Sequence, residues 1–277
     1  MKKAKSSSKP TLKKCSNLSR VLHAVAMISV FGMTSALAAI PKASLNGKTT
    51  VEASIRNDLS AFRKEKQTDF QSLVQKWDRI YGNASAPSLL KIAEDSKAAN
   101  ADRYVALMAH TKIRGPHDAK ELTALLDDRD WMVRSAALKS IEILGYMPAA
   151  PKVLAKLEND PALVIRVQTI ETLMKLRPPE LADALLKASM DGKNYRPANF
   201  RKGRADWVPQ RALAALRELK PAGYSRRLLP LLNETNDGRI RAHALHTIEI
   251  LESKSLKAGR PFPERAAAWT ATLTAAR

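Results

Sequence analysis

Residues 125–145 have the sequence LLDDRDWMVRSAALKSIEILG, in which apolar side chains recur at helical spacing. The apolar positions are Val133, Ala137, Leu138, Ile141 and Leu144. Offsets of 0, 4, 5, 8 and 11 residues place all five on one face of an α-helix. The segment therefore predicts a helix that buries one stripe of side chains against other parts of the protein.

The same pattern returns three times further along the chain. The copies are Ile165, Thr169, Ile170, Leu173, Leu176; Val208, Ala212, Leu213, Leu216, Leu219; and Ile240, Ala244, Leu245, Ile248, Leu251. Successive copies are 32, 43 and 32 residues apart. Internal similarity at this period is typical of stacked helix pairs, in which neighbouring repeats stabilise one another. We predict an all-α fold, an α-solenoid of about four to five stacked antiparallel helix pairs.

Prolines and short polar residues mark the helix boundaries. The first helices of the pairs are predicted to begin near Pro87, Pro116, Pro148, Pro178 and Pro221, because proline is tolerated in a first turn. The second helices follow residues that are predicted to be N-caps or turn residues, namely Asn100, Asp130, Asp160, Asp206 and Asp237. The repeats then cover roughly residues 86–252. Two helices precede them from residue 51, and a helix within 260–277 is expected to cap the stack.

The N-terminus has the features of a secretory signal peptide. Residues 1–20 carry seven Lys or Arg and no acid, and a mostly apolar, uncharged stretch follows over residues 21–38. Small residues at Ala36 and Ala38 suit a signal peptidase, so we expect cleavage before Ala39 and a periplasmic or secreted protein. Retention of the leader as a membrane anchor is the alternative. Residues 39–50 carry Pro, Gly, Ser and Asn without periodicity and are predicted to be a flexible linker.

The composition limits the chemistry available to the exported chain. The only cysteine, Cys15, lies in the predicted leader, so residues 39–277 contain no thiol. The whole chain has a net charge of +20, and without residues 1–38 it keeps 40 basic and 27 acidic residues, a net charge of +13. This charge favours an acidic protein partner and permits peripheral contact with an anionic membrane.

Residues 125–145 resemble a HEAT repeat, and the resemblance extends over roughly residues 87–251. A bacterial HEAT-repeat protein of the exported type is implied. In the family, an Asp in the turn and an Arg at the start of the second helix form a ladder of ion pairs between repeats. Asp128 with Arg134 and Asp160 with Arg166 match this pattern six residues apart. Arg103 and Arg241 also hold the Arg position, whereas Pro209 replaces it in the third copy and puts the ladder in doubt there.

The 43-residue step contains an insert, DGKNYRPANFRKGRA, at residues 191–205. Insertions in solenoids map to loops and often to the binding face. The candidate binding residues are its cations and aromatics, Lys193, Tyr195, Arg196, Phe200, Arg201, Lys202 and Arg204. The insert is expected to be exposed and mobile because few of its residues are apolar. A solvated loop with no partner is the simpler interpretation.

His243, His246 and Glu249 share one helix face and are the ligand types that zinc uses. No further strong ligand or familiar catalytic pattern adjoins these three residues, so we predict no metal, and no cofactor motif or catalytic site is found in the sequence.

The function predicted from the sequence is non-enzymatic binding or scaffolding of another protein in the cell envelope. A nucleic-acid-binding or DNA-glycosylase-like HEAT protein is the alternative that the basic charge invites. It is disfavoured by the export signal and by the mixed charges on the second helices, so no nucleic acid partner is expected. A bilin-lyase-like chaperone is a further alternative that no cysteine or cofactor motif supports. The pattern does not fix the oligomeric state.

Overall fold

The computed structural model describes residues 50–65, 69–195, 207–235 and 237–275. Within these ranges all regular secondary structure is helical, which confirms the predicted all-α class. No helix of the described ranges has the length and apolar character needed to cross a membrane. The predicted signal peptide, and the predicted linker up to residue 49, lie outside the described residues.

The described helices form five successive pairs between two N-terminal helices and one C-terminal helix. The N-terminal helices are α1 (Val51–Lys64) and α2 (Phe70–Tyr81). The first helices of the pairs are α3 (Ala86–Glu94), α5 (Ala119–Ala124), α7 (Ala150–Asn159), α9 (Leu181–Met190) and a first helix in two short parts, α11 (Tyr224–Arg227) and α12 (Leu229–Asn233). The second helices are α4 (Asn100–Arg114), α6 (Trp131–Leu144), α8 (Leu163–Leu176), α10 (Trp207–Leu219) and α13 (Gly238–Leu251). The last helix is α14 (Phe262–Ala275).

The pairs stack in chain order into an α-solenoid. Each second helix packs on the first helix of its own pair and on the second helices of the neighbouring pairs. Consecutive second helices contact each other more extensively than consecutive first helices do. The second helices therefore form the inner layer of the curve, and the first helices form the outer layer.

The predicted apolar columns form the core of the stack. In each copy the first four column residues are buried, including Val133, Ile165, Val208 and Ile240. The fifth position is half-buried at Leu144, Leu219 and Leu251. Each column is buried only when both adjacent pairs cover it. A single pair would leave its column exposed to water and would not be stable alone.

Helix boundaries follow the predicted signals in part. The Asp130 carboxylate accepts a hydrogen bond from the Met132 N–H at 2.8 Å, and the Asp237 carboxylate accepts one from the Arg239 N–H at 2.8 Å, so both are N-caps. Pro87 lies in the first turn of α3 as predicted. Gly145 ends α6 with φ +59°, a left-handed conformation that glycine adopts without strain.

Three boundary predictions are wrong. Asn100 is the first residue of α4, and Ala99 occupies the cap. Pro178 and Pro221 each lie three residues before the helix that follows, so they are turn residues and not first-turn residues. By contrast, Asp160 is a turn residue, one of the two roles predicted for it: its carboxylate accepts from the Ala162 N–H, and Ala162 is the residue at the cap of α8. Asp206 lies outside the described residues.

The two described ends of the stack are closed by helices with large aromatic side chains. Trp77 of α2 is fully buried, and its indole N–H donates to the Asp58 carboxylate at 2.9 Å. At the other end, α14 buries Ala266, Trp269 and Leu273 and contacts α11 and α12. An end repeat has a neighbour on one side only, so these helices shield apolar surface that would otherwise face water.

Candidate binding surfaces

The predicted arginine column forms a ladder of three rungs that links the first four helix pairs. The Arg103 guanidinium pairs with both oxygens of Asp128, 25 residues further on, while its Nε donates to the Ala93 carbonyl at 2.8 Å. Arg103 is only 1% exposed. Two parallel hydrogen bonds to one carboxylate suit the planar guanidinium, so this rung is specific in geometry as well as in charge.

Arg134 makes the second rung with Asp160. Its Nε and Nη2 donate to the two oxygens of Asp160 at 2.7 and 2.8 Å. Its Nη1 donates at 2.9 Å to the backbone carbonyl of Asp128, six residues earlier. The arginine therefore contacts the turn of its own repeat through the backbone and the turn of the next repeat through the carboxylate. The ladder implied by the resemblance connects successive repeats at these two rungs.

The electrostatics of the first rung favour the ionised carboxylate. Burial by itself would raise the pKa of the Asp128 carboxyl. Hydrogen bonds from Arg103 and from the Asp130 N–H outweigh this effect, and the pKa of Asp128 lies below its ordinary value. The rung is thus a charged pair at neutral pH.

The third rung uses an amide in place of a carboxylate. Arg166 donates through Nε to the Asp160 carbonyl at 2.7 Å and through Nη1 to the Asn194 Oδ1 at 2.8 Å. Asn194 is 1% exposed, and its Nδ2 donates to the Ala188 carbonyl at 2.9 Å. Asn194 therefore holds the position that Asp128 and Asp160 hold in earlier repeats. Sequence reasoning missed this residue, although its 28-residue separation from Arg166 resembles the 25 and 26 residues of the other rungs.

The ladder changes character after the insert. Pro209 replaces the arginine in α10, as the sequence shows. Arg241 donates through Nε to the Leu232 carbonyl at 3.0 Å, and its guanidinium lies 5.0 Å from the centre of the Phe262 ring. This last arginine joins its own first helix to α14 and contributes to closing the stack.

The predicted binding residues of the insert fall partly within the described chain. Lys193 is exposed, while Tyr195 is half-buried against the core and its hydroxyl donates to the Ser189 carbonyl at 2.8 Å. Arg196, Phe200, Arg201, Lys202 and Arg204 lie outside the described residues. The expectation that the whole insert is exposed is wrong at Asn194, because the ladder draws the start of the insert into the stack.

The inner face carries paired charges of both signs. Lys139 donates to Glu142 at 2.7 Å within α6, and Arg211 of α10 donates to Glu171 of α8 at 2.6 Å. Polar contacts also join adjacent second helices, such as Ser135 with Gln168 at 2.6 Å. The inner face therefore presents side chains of both charges, largely paired with one another, to a partner.

His243, His246 and Glu249 lie on α13 as predicted. The Glu249 carboxylate accepts two hydrogen bonds from Arg265 of α14, each at 2.6 Å, and one from the Ser255 hydroxyl at 2.6 Å. Glu249 is thus used to fix the C-terminal helix. No set of three metal-ligating side chains is found among the described residues.

A groove of about 390 Å³ lies on the outer layer between α7 and α9, and we call it the outer groove. Its floor is apolar and includes Leu154 and Leu157 of α7 with Ala184 and Ala188 of α9. Four carboxylates line it, those of Glu158, Glu180, Asp183 and Asp191, and Lys187 is the one cation that lines it within the described part of the chain. A second depression of about 480 Å³ adjoins α9 and shares Asp183, Lys187 and Asp191.

Two of the four carboxylates of the outer groove are neutralised. Glu158 accepts from Lys187 at 2.5 Å, and Asp183 accepts from Arg227 at 2.5 Å. Hydrogen bonds from the Tyr224 hydroxyl and from Arg227 hold the pKa of Asp183 below its ordinary value. Among the described residues, Glu180 and Asp191 have no ion-pair partner within 4.0 Å. The outer groove is therefore a locally acidic site in a basic protein.

The pairing of helices, the rungs between repeats and one comparison agree on the family. The family model for HEAT repeats matches residues 86–174, which span α3 to α8. Residues 86–174 are HEAT repeats. The chain is also similar to a solved structure, the complex of CpcE and CpcF of phycocyanin lyase from Nostoc sp. PCC7120. The sequence identity is 18%, the TM-score is 0.42, and the match covers 86% of this chain and 100% of that chain. A comparison with curated proteins gave no match.

Proposed function

We propose that this protein is an exported, non-enzymatic HEAT-repeat scaffold that binds another protein in the cell envelope. The proposal is supported by the different roles of the buried arginines and of the surface side chains of the second helices. The buried arginines are used in rungs that hold the repeats in register, while the second helices present their remaining side chains along one continuous inner face. A HEAT stack of this kind offers an extended surface for protein contacts.

Export is supported by the sequence of the leader. Its test is the intact mass of the protein recovered from the envelope of the native cell. We expect the mass of a chain that begins at Ala39. A mass that includes residues 1–38 would contradict cleavage, and recovery in the cytoplasmic fraction alone would contradict export.

The charge of the chain supports an acidic partner, held in part by the cations of the insert. The test is affinity capture from an envelope fraction with the protein lacking residues 1–38, followed by identification of the captured protein by mass spectrometry. Changing Arg201 and Lys202 together to Glu should weaken capture, more at low salt than at high salt, because surface charges are least screened there. The matched control changes Lys64 and Lys120 to Glu, both exposed on other helices, and should leave capture nearly unchanged. Equal loss in both variants would show that net charge alone, and not the insert, matters.

A further inference from the structure

We propose that the outer groove binds a short cationic segment of a partner protein, in which two Lys or Arg residues flank about four apolar or small residues. This inference rests on the proposed function as a protein-binding scaffold. It adds a second contact whose charge preference is opposite to that of the insert.

The outer groove contains a channel lined by small and apolar side chains. The alanines Ala184 and Ala188 are one helical turn apart on α9, so they leave a channel beside Leu154 of α7. Ala155 is exposed at the edge of this channel. The lining is predominantly apolar, as in sites that bury the side chains of a ligand.

The charge of the outer groove favours a cationic ligand. Of the four carboxylates that line the outer groove, Glu158 and Asp183 are paired with cations. Glu180 and Asp191 have no cation partner among the described residues. A protein of net charge +20 repels cationic ligands over most of its surface. Unpaired carboxylates at an apolar groove reverse this preference locally, and they select a ligand that carries both cations and apolar groups.

The distance between the two unpaired carboxylates matches the length of a short extended peptide. Glu180 is at the N-terminal cap of α9 and Asp191 is at its C-terminal cap. The ten helical residues Leu181–Met190 lie between them, so the two caps are eleven positions apart, which corresponds to about 16 Å along the axis. An extended peptide covers this distance in about five residues. Side chains at its first and sixth positions leave the backbone on opposite faces, but the flexible four-carbon stem of lysine lets each ammonium group turn toward one carboxylate.

The probe is a fluorescein-labelled peptide, acetyl-KLALAK-amide, and its matched control is acetyl-ELALAE-amide. Fluorescence polarisation with the full chain should show binding of the lysine peptide at low salt, weakening as salt is added, and no measurable binding of the glutamate peptide. No binding of the lysine peptide, or equal binding of both peptides, would overturn the proposal.

Two groove variants locate the site. Glu180→Gln with Asp191→Asn should weaken binding of the lysine peptide by about three- to tenfold at low salt. The amide at position 191 keeps an oxygen to accept the Lys193 N–H hydrogen bond, so the fold should be retained. The control, Glu94→Gln with Glu121→Gln, removes two exposed charges from other first helices and should leave binding unchanged. Equal weakening in the two double variants would overturn the location.

A separate variant avoids any effect on the caps of α9. Ala155→Lys places a cation at the edge of the groove and should weaken binding of the lysine peptide, whereas Ala267→Lys on α14, an exposed control position, should not. The insert variant with Glu at 201 and 202 should bind the lysine peptide as well as the unchanged protein does. Peptide binding together with unchanged envelope capture in this insert variant would therefore support the groove while contradicting the acidic partner at the insert. Reduced capture in the insert variant, with no peptide binding by the unchanged protein, would contradict the groove and support the insert.

Discussion

Arg166 and Asn194 form the junction between the regular repeats and the insert. The Arg166 Nη1 donates to the Asn194 Oδ1 at 2.8 Å, and Asn194 is the only side chain of residues 191–195 that is fully buried. Asn194 also donates to the Ala188 carbonyl at the end of α9. The pair therefore continues the ladder across the point at which the repeat length changes from 32 to 43 residues.

Replacing Asn194 tests this junction. Asn194→Ala removes the acceptor of a buried guanidinium and the donor to the Ala188 carbonyl, so we expect a loss of about 1 to 3 kcal/mol in the free energy of unfolding. Lys193→Ala, at the exposed neighbouring position, should change stability by less than about 0.5 kcal/mol. Urea denaturation of both variants measures the difference. Equal, small losses would mean that Asn194 does not act as a rung.

The apolar columns lead to a second stability prediction. Leu173 is 0% exposed in α8, between the second helices on either side, so Leu173→Ala should cost about 2 to 5 kcal/mol. Lys139→Ala should cost much less, about 0 to 1 kcal/mol, because Lys139 and Glu142 form a half-buried pair whose side chains are 23% and 20% exposed and still contact water. Chemical denaturation tests both values, and similar losses in the two variants would contradict the assigned helix faces.

The apolar columns and part of the ladder could be predicted because each depends on residues that are close together in the sequence. Apolar offsets within one helix set the buried face, and an Asp six residues before an Arg identifies the turn of a repeat. Asn194 could not be found in this way, because the insert places it 15 residues before position 209, where Pro209 also replaces the arginine. The interval from each arginine to the acceptor in the next repeat was the informative signal, and Arg166 with Asn194 has it.

The outer groove could not be predicted from local patterns at all. Its walls come from α7 and α9, which belong to different repeats and are separated in sequence by all of α8. Which carboxylates remain unpaired depends on contacts such as that between Arg227 and Asp183, 44 residues apart. Residues that meet only through stacking carry no common period in the sequence beyond that of the repeats themselves.

The first rung predicts how stability depends on pH. The pKa of Asp128 is lowered in the folded protein, so its contribution to stability is complete above the pKa of the unfolded chain, about 3.9, and is lost as the pH falls through the lower folded value. Asp128→Asn should therefore reduce the loss of stability between about pH 5 and pH 2. Urea midpoints measured across this range test the expectation.

Asp102 provides a control of opposite sign. Burial raises the pKa of the Asp102 carboxyl despite the nearby Arg63. The folded protein therefore binds a proton at Asp102 more readily than the unfolded chain does. Asp102→Asn should make the loss of stability on acidification steeper instead of shallower. The same shallow profile in both variants would contradict the assignment of Asp128 to a charged rung.

Site-specific photocrosslinking in the native envelope tests the central claim, that the inner face of the solenoid holds a protein partner. A benzophenone amino acid is placed at Ala214, on the inner face of α10, and in a separate variant at Glu121, exposed on the outer layer in α5. We expect a discrete crosslinked protein from position 214 and none from position 121. Adducts from position 121 alone, or no adduct from position 214 in cells that export the folded protein, would contradict it.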